Sequence, residues 1–180
     1  MGLFDSKPAA APLPLDVLTT EYLISGQVEP DNQEWAWAYF SPHEKRPAVA
    51  LELTVTAARS AGARPAPELT GTSASFTFST AMIAVIPRGE SADALWEEWA
   101  AGGMGQTVSG ELLVGPYAVT GTFLTADGTM SAVMNDRVAV RDATFTRIDA
   151  AGSSTPIAAP RAVVATNLMH AAITAGPLIQ

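Results

Sequence analysis

PYAVTGTFL, residues 116–124, retells EYLISGQVE, residues 21–29. Each places a Tyr four residues ahead of a Gly inside an apolar, strand-like run, Tyr22 with Gly26 and Tyr117 with Gly121. A Gly inside a strand marks a bulge or a sharp bend, the device a short strand needs to curl. Further blocks recur in the same order. AWAYFS (36–41) matches MSAVMN (130–135), LELTVT (51–56) matches RDATFT (141–146), and FSTAMIAVI (78–86) matches VATNLMHAA (164–172). From first block to last the offset falls through 95, 94, 90 and 86 residues, as the same elements would show with shorter connections in a second copy. The pattern predicts an internal duplication. A period of about 90 residues is too long for a solenoid, so two tandem small domains follow.

Between these blocks the alternation is that of strands. Leu51, Leu53 and Val55 alternate with Glu52, Thr54 and Thr56, giving one buried and one wet face. Phe76 and Phe78 alternate with small polar residues and run on into AMIAVIP, where Pro87 stops the ladder. ARSAGARPAPELTGTS reads as a long exposed hairpin connection. SADALWEEWAAGG is the clearest helix, with Ser91 as its cap, Asp93 in its first turn and Gly102 and Gly103 at its end. Leu95 and Trp99 share one of its faces, and Glu97 and Glu98 face solvent. The organisation read from this is a flexible arm over 1–16, a first small barrel over 17–88, a linking helix and Gly-rich loop over 89–108, and a second small barrel over 109–180. The expected fold class is mainly β: two tandem SH3-like or Sm-like barrels, or one fused β-sandwich, with one short helix between the halves.

Composition narrows the function. Apolar residues make up 48% of the chain and charged residues only 16%, so the chain should fold and bury a core. No apolar run approaches the roughly 20 residues of a membrane span. The N-terminus lacks a continuous apolar stretch of the secretory kind, and a cytoplasmic location is the default expectation. There is no Cys, which removes disulfides, thiolate metal sites and Cys nucleophiles together. The net charge of −8, with ten dispersed Lys and Arg, argues against nucleic acid as a partner.

The stretch VTGTFLTADGTMSAVMNDRVAVRDATF (119–145) resembles the first half of an Sm motif, with apolar residues flanking Gly121, an Asp at 127, the pair Met134 and Asn135, and Asp142 after Val140. The first half of the chain also resembles uncharacterised bacterial domains that carry a YLI.G strand. The resemblance implies a small barrel fold. It does not carry RNA binding across, because the Arg-Gly pair of Sm proteins is replaced by Thr166-Asn167 in one half and Thr80-Ala81 in the other.

Chemistry-bearing patterns are sparse. His43 and His170 are far apart and lack a ligand spacing, Asp127-Gly128 reads as a turn, and AGGMGQTVSG lacks the order of a phosphate loop. No catalytic, cofactor or metal residues are expected. The aromatic residues hold more interest. Trp35, Trp37 and Tyr39 alternate in EWAWAYFSP and so share one strand face, and Trp96 and Trp99 stand on the helix. Such faces are core, sealing a seam between halves, or else anchors for a protein partner. The expected function is a non-catalytic interaction or assembly module that associates with itself or joins a larger complex. The alternative is a small-ligand-binding protein or an enzyme that uses a crevice between the two repeats.

Overall fold

A computed structural model describes residues 11–33, 50–76, 82–102, 104–130, 136–148, 155–167 and 169–174. Among them the chain is mainly β. The strands are β1 (Leu13–Thr19), β2 (Tyr22–Val28), β3 (Leu51–Ser60), β4 (Ser73–Phe76), β5 (Met82–Pro87), β6 (Gln106–Val114), β7 (Tyr117–Thr125), β8 (Arg137–Arg147), β9 (Ile157–Ala165) and β10 (Met169–Thr174). They form one open antiparallel sheet in the order β10-β6-β7-β8-β9-β5-β1-β2-β3-β4. A helix, α1 (Glu90–Ala101), stands between β5 and β6 and covers most of the SADALWEEWAAGG stretch. Among the described residues no helix is long and apolar enough to cross a membrane.

Divided between β5 and β6, the chain gives two runs of the same order, β5-β1-β2-β3-β4 and β10-β6-β7-β8-β9. The pairing repeats residue by residue. Leu15 faces Gly26 as Gly110 faces Gly121, and Val17 faces Ile24 as Leu112 faces Val119, all at an offset of 95. Tyr22 faces Ser60 as Tyr117 faces Arg147, and Gln27 faces Thr54 as Thr122 faces Arg141. Both of these ladders slip beside the strand glycine, at Ser25/Gly26 and at Thr120/Thr122, so the expected bulges are present in both halves. A Cβ on Gly26 would lie 2.5 Å from Leu53 Cγ and from the Thr54 carbonyl oxygen; one on Gly121 would meet the counterparts, Val140 Cγ2 at 2.7 Å and the Arg141 oxygen at 2.9 Å. The two glycines answer the same need for close backbone approach.

Beyond that first strand pair the offsets differ from those read in the sequence. Leu51 facing Phe76 corresponds to Val138 facing Val164, which aligns LELTVT with VAVRDA (138–143) at 87 residues instead of with RDATFT at 90. Val17 facing Val85 corresponds to Leu112 facing Ala172, again at 87 for the last strand, not 86. The shortening is therefore concentrated in one connection, β2 to β3 against β7 to β8. Strands rich in Thr, Val and Ala match one another in several registers by composition, and only the hydrogen-bond ladder and its bulges select one. The match of 36–41 with 130–135 falls outside the described residues except for Met130.

Two cores lie on opposite faces of the β5–β9 junction. On one face Ala84 and Val164 join Leu18, Leu112, Val119, Phe123, Val140 and Phe145; on the other, Val85 and Val163 join Leu15, Val17, Ile24, Leu51, Leu53 and Trp99. This explains MIAVIP, whose six residues are all buried: a strand covered on both faces reads as a continuous apolar run. Each fully buried aliphatic side chain contributes about 1.5–3 kcal/mol.

Three boundaries differ from the sequence reading. β1 begins at Leu13, within the stretch expected to be a flexible arm, because Leu13, Leu15 and Val17 alternate inward and Pro14 falls on the exposed positions between them. The helix begins at Glu90, so Ser91 lies inside its first turn and the positive φ of Gly89 makes the turn into it. β4 and β5 are separate strands with different neighbours, β3 for one and β1 and β9 for the other. Phe78 lies outside the described residues.

Candidate functional site

The halves are joined by more than the β5–β9 ladder. Arg147, the last residue of β8, has a side chain only 7% exposed and reaches across to the β1–β2 turn. Its guanidinium lies 3.5 Å from the Glu21 carboxylate and donates to the carbonyl oxygens of Thr20 and Ala61. The hydroxyl of the buried Tyr117, over whose ring Arg147 sits, donates to the same Ala61 oxygen at 3.2 Å. A planar guanidinium with several fixed donors is suited to collecting carbonyls and a carboxylate from one turn. The arrangement clamps the end of β3 and the β1–β2 turn onto the second half.

A second cluster lies under α1. Trp99 is 2% exposed within the core of the first half, so the core reading holds for that ring. Trp96, three positions earlier on the helix, is half-buried beside two guanidiniums, Arg141 at 5.4 Å and Arg161 at 5.3 Å from its ring centroid. These arginines face each other across β8 and β9. Like charges directly opposite repel, and here the indole face and Asp93, 3.4 Å from Arg161, offset that repulsion. The ring contacts and the Asp93 ion pair tie the helix to β8 and β9.

The third feature is the sheet's outer boundary. β4 and β10 terminate the order, and among the described residues each has a neighbouring strand on one side only. On β10, Met169 and Ala172 pack inward while Ile173 is 49% exposed, as large an apolar surface as the described residues show outside Ile148. Ile173 borders an open groove of about 420 Å³ lined also by Ser109, Gly110, Glu111, Thr120 and Gly121. Two of these residues, Gly110 and Gly121, face each other across β6 and β7.

The remaining expected site residues are distributed as follows. Trp35, Trp37, Tyr39 and His43 lie outside the described residues. His170 is exposed on β10. Asp127 lies in the connection after β7, where its carboxylate accepts hydrogen bonds from the Thr129 amide at 2.9 Å and hydroxyl at 2.8 Å, with Gly128 at positive φ beside it. Those bonds, the hydroxyl first, hold its pKa below the ordinary carboxylate value. Among the described residues no three His, Asp or Glu side chains converge as metal ligands. Sequence reading missed Arg147, Arg141 and Arg161, because the groups they meet are distant in the chain and become neighbours only through the ladder register.

No family model, curated protein or solved structure matches the chain.

Proposed function

We propose that the chain is a non-catalytic assembly module that associates with further copies of itself, built from two copies of one five-strand, barrel-like unit. The repeat of pairing register, bulge for bulge, supports the duplication. The observation that carries the assembly reading is that, among the described residues, both end strands of the ten-stranded sheet have a neighbouring strand on one side only, with Ile173 exposed on one of them. Terminal strands present backbone donors and acceptors that other strands satisfy, and soluble proteins cover or blunt them unless they are used. Native mass spectrometry of the purified chain over a wide concentration range tests this: defined multiples of the monomer mass are expected, and a monomer at every concentration refutes it.

The groove beside Ile173 favours a second reading, binding of a small apolar molecule within the second half. The hydrophobic dye anilinonaphthalene sulfonate then binds the folded monomer and Ile173→Lys abolishes that binding; dye binding unchanged by the substitution removes this reading.

A further inference from the structure

The internal junction supplies a template for what the terminal strands do. Within the chain, β5 of the first half pairs antiparallel with β9 of the second, Ala84 opposite Val164 and Val85 opposite Val163. By the repeated register, β10 is the counterpart of β5 and β4 is the counterpart of β9. The two terminal strands are therefore the same two kinds of edge that already pair inside the molecule. Resting on the assembly reading, we infer that β10 of one copy pairs with β4 of the next in that register, Ala172 opposite Ser75 and Ala171 opposite Phe76.

The side chains of β10 are laid out for this. β5 sends Met82 and Val85 into its own half's core and Ile83, Ala84 and Ile86 into the core of the other half. On β10 the counterparts of the first pair, Met169 and Ala172, pack against their own core. The counterparts of the second set, His170, Ala171 and Ile173, have no such core to enter among the described residues: His170 and Ile173 are exposed and Ala171 is half-buried. Ile86 is 5% exposed where Ile173 is 49% exposed, and the difference is the strand and core that β9 brings to one and not to the other. A second copy's β4, with Leu51, Leu53 and Phe76 behind it, provides that cover.

The edges are alike in register but more polar than the internal pair. Ser75 stands where β9 has Val163, and His170 stands where β5 has Ile83. The contact between copies is accordingly weaker than the contact within one and depends on protein concentration. It is also heterologous, one end of the sheet meeting the other, so it propagates into a closed ring or a filament according to the rotation per copy.

Because the chain contains no Cys, two single-cysteine variants read the register directly. Residues directly opposite across an antiparallel pair have Cα atoms about 4.5–5.5 Å apart, within reach of a disulfide. Ser75→Cys and Ala172→Cys, mixed and oxidised, are expected to give a disulfide-linked pair of one copy of each, while either variant alone gives none. Ile173→Lys, a change at an exposed position that leaves the core untouched, is expected to abolish the cross-link and shift the chain to monomer with unchanged circular dichroism. A disulfide dimer from one variant alone means that like edges meet, and overturns the inference. Oligomers without the mixed cross-link place self-association on another surface and overturn it while the assembly reading stands. A monomer throughout overturns both.

Discussion

The two halves share a ladder but not a core. In β3 the residues after the bulge are Thr56, Ala57, Ala58, Arg59 and Ser60, all partly or fully exposed; in β8 the counterparts are Ala143, Thr144, Phe145, Thr146 and Arg147, with Ala143 and Phe145 buried. Hydrogen bonding and the close approach at the two glycines hold the register, while the side chains on that frame differ. The second half has the larger aromatic content at this level and also supplies the residue that clamps the first. Removing Phe145 therefore sharpens the contrast most. Phe145→Ala leaves a cavity beside Val119 and is expected to cost about 4 kcal/mol of unfolding free energy by denaturant titration. Ala58→Gly, at the counterpart opposite Ile24, should cost no more than about 1 kcal/mol. Equal losses would mean that the halves are equally packed.

Next in size is the clamp. Arg147→Ala strands the Glu21 carboxylate and two carbonyls in a site where the arginine is only 7% exposed, and a loss of about 3 kcal/mol is expected. The hydroxyl of its counterpart Ser60 stays local: it lies within hydrogen-bond reach of the Gly62 and Arg64 carbonyls at the surface, and its single proton serves one of them at a time. Ser60→Ala should cost about 1 kcal/mol or less. A small effect at Arg147 would show that the β5–β9 ladder and the shared cores hold the halves together without it.

At the bulges the comparison should collapse into equality. Gly26→Ala and Gly121→Ala drive a methyl group into counterpart atoms, Leu53 Cγ and the Thr54 oxygen in one half, Val140 Cγ2 and the Arg141 oxygen in the other. Each is expected to cost about 2 kcal/mol, with thermal midpoints lowered alike. If one is tolerated, the bulges are equivalent in register only and the shared requirement for glycine is broken.

The glycines were also the most legible part of the sequence. Tyr22/Gly26 and Tyr117/Gly121 carried the match because a strand that must approach its neighbour closely admits no substitute there, so the signal stands out where the flanking side chains differ. β5 was legible as an apolar run and α1 as a Trp-bearing helix, though not its N-terminal cap. The register of β3 against β8 was not, since Thr, Val and Ala satisfy either pleat face equally well over six residues. Nor was the junction between halves: Glu21 and Arg147 are 126 positions apart, and nothing local marks either as half of an ion pair. The exposed Ile173 acquires meaning only beside its buried counterpart Ile86.

The smallest contrast is electrostatic. Four places beyond Val28, and four beyond its counterpart Phe123, stand Asn32 and Asp127. Asn32 cannot titrate in this range, whereas the Asp127 carboxylate is held ionised by the Thr129 hydroxyl and amide. Its folded-state pKa lies below the unfolded value of 3.8, so the stabilisation it provides is complete above that pH and disappears as the pH falls through the lower folded value. The group is wholly exposed, so this shift makes only a slight contribution to the acid limb of the stability curve, and it comes from the second half alone. Asp127→Asn should remove that contribution and leave stability at neutral pH nearly unchanged. A carboxyl NMR titration checks the cause directly: a midpoint for Asp127 below 3.8 is expected, rising toward 3.8 in Thr129→Ala, and a midpoint at the ordinary value in the unmodified chain would mean that the Thr129 bonds do not persist in solution.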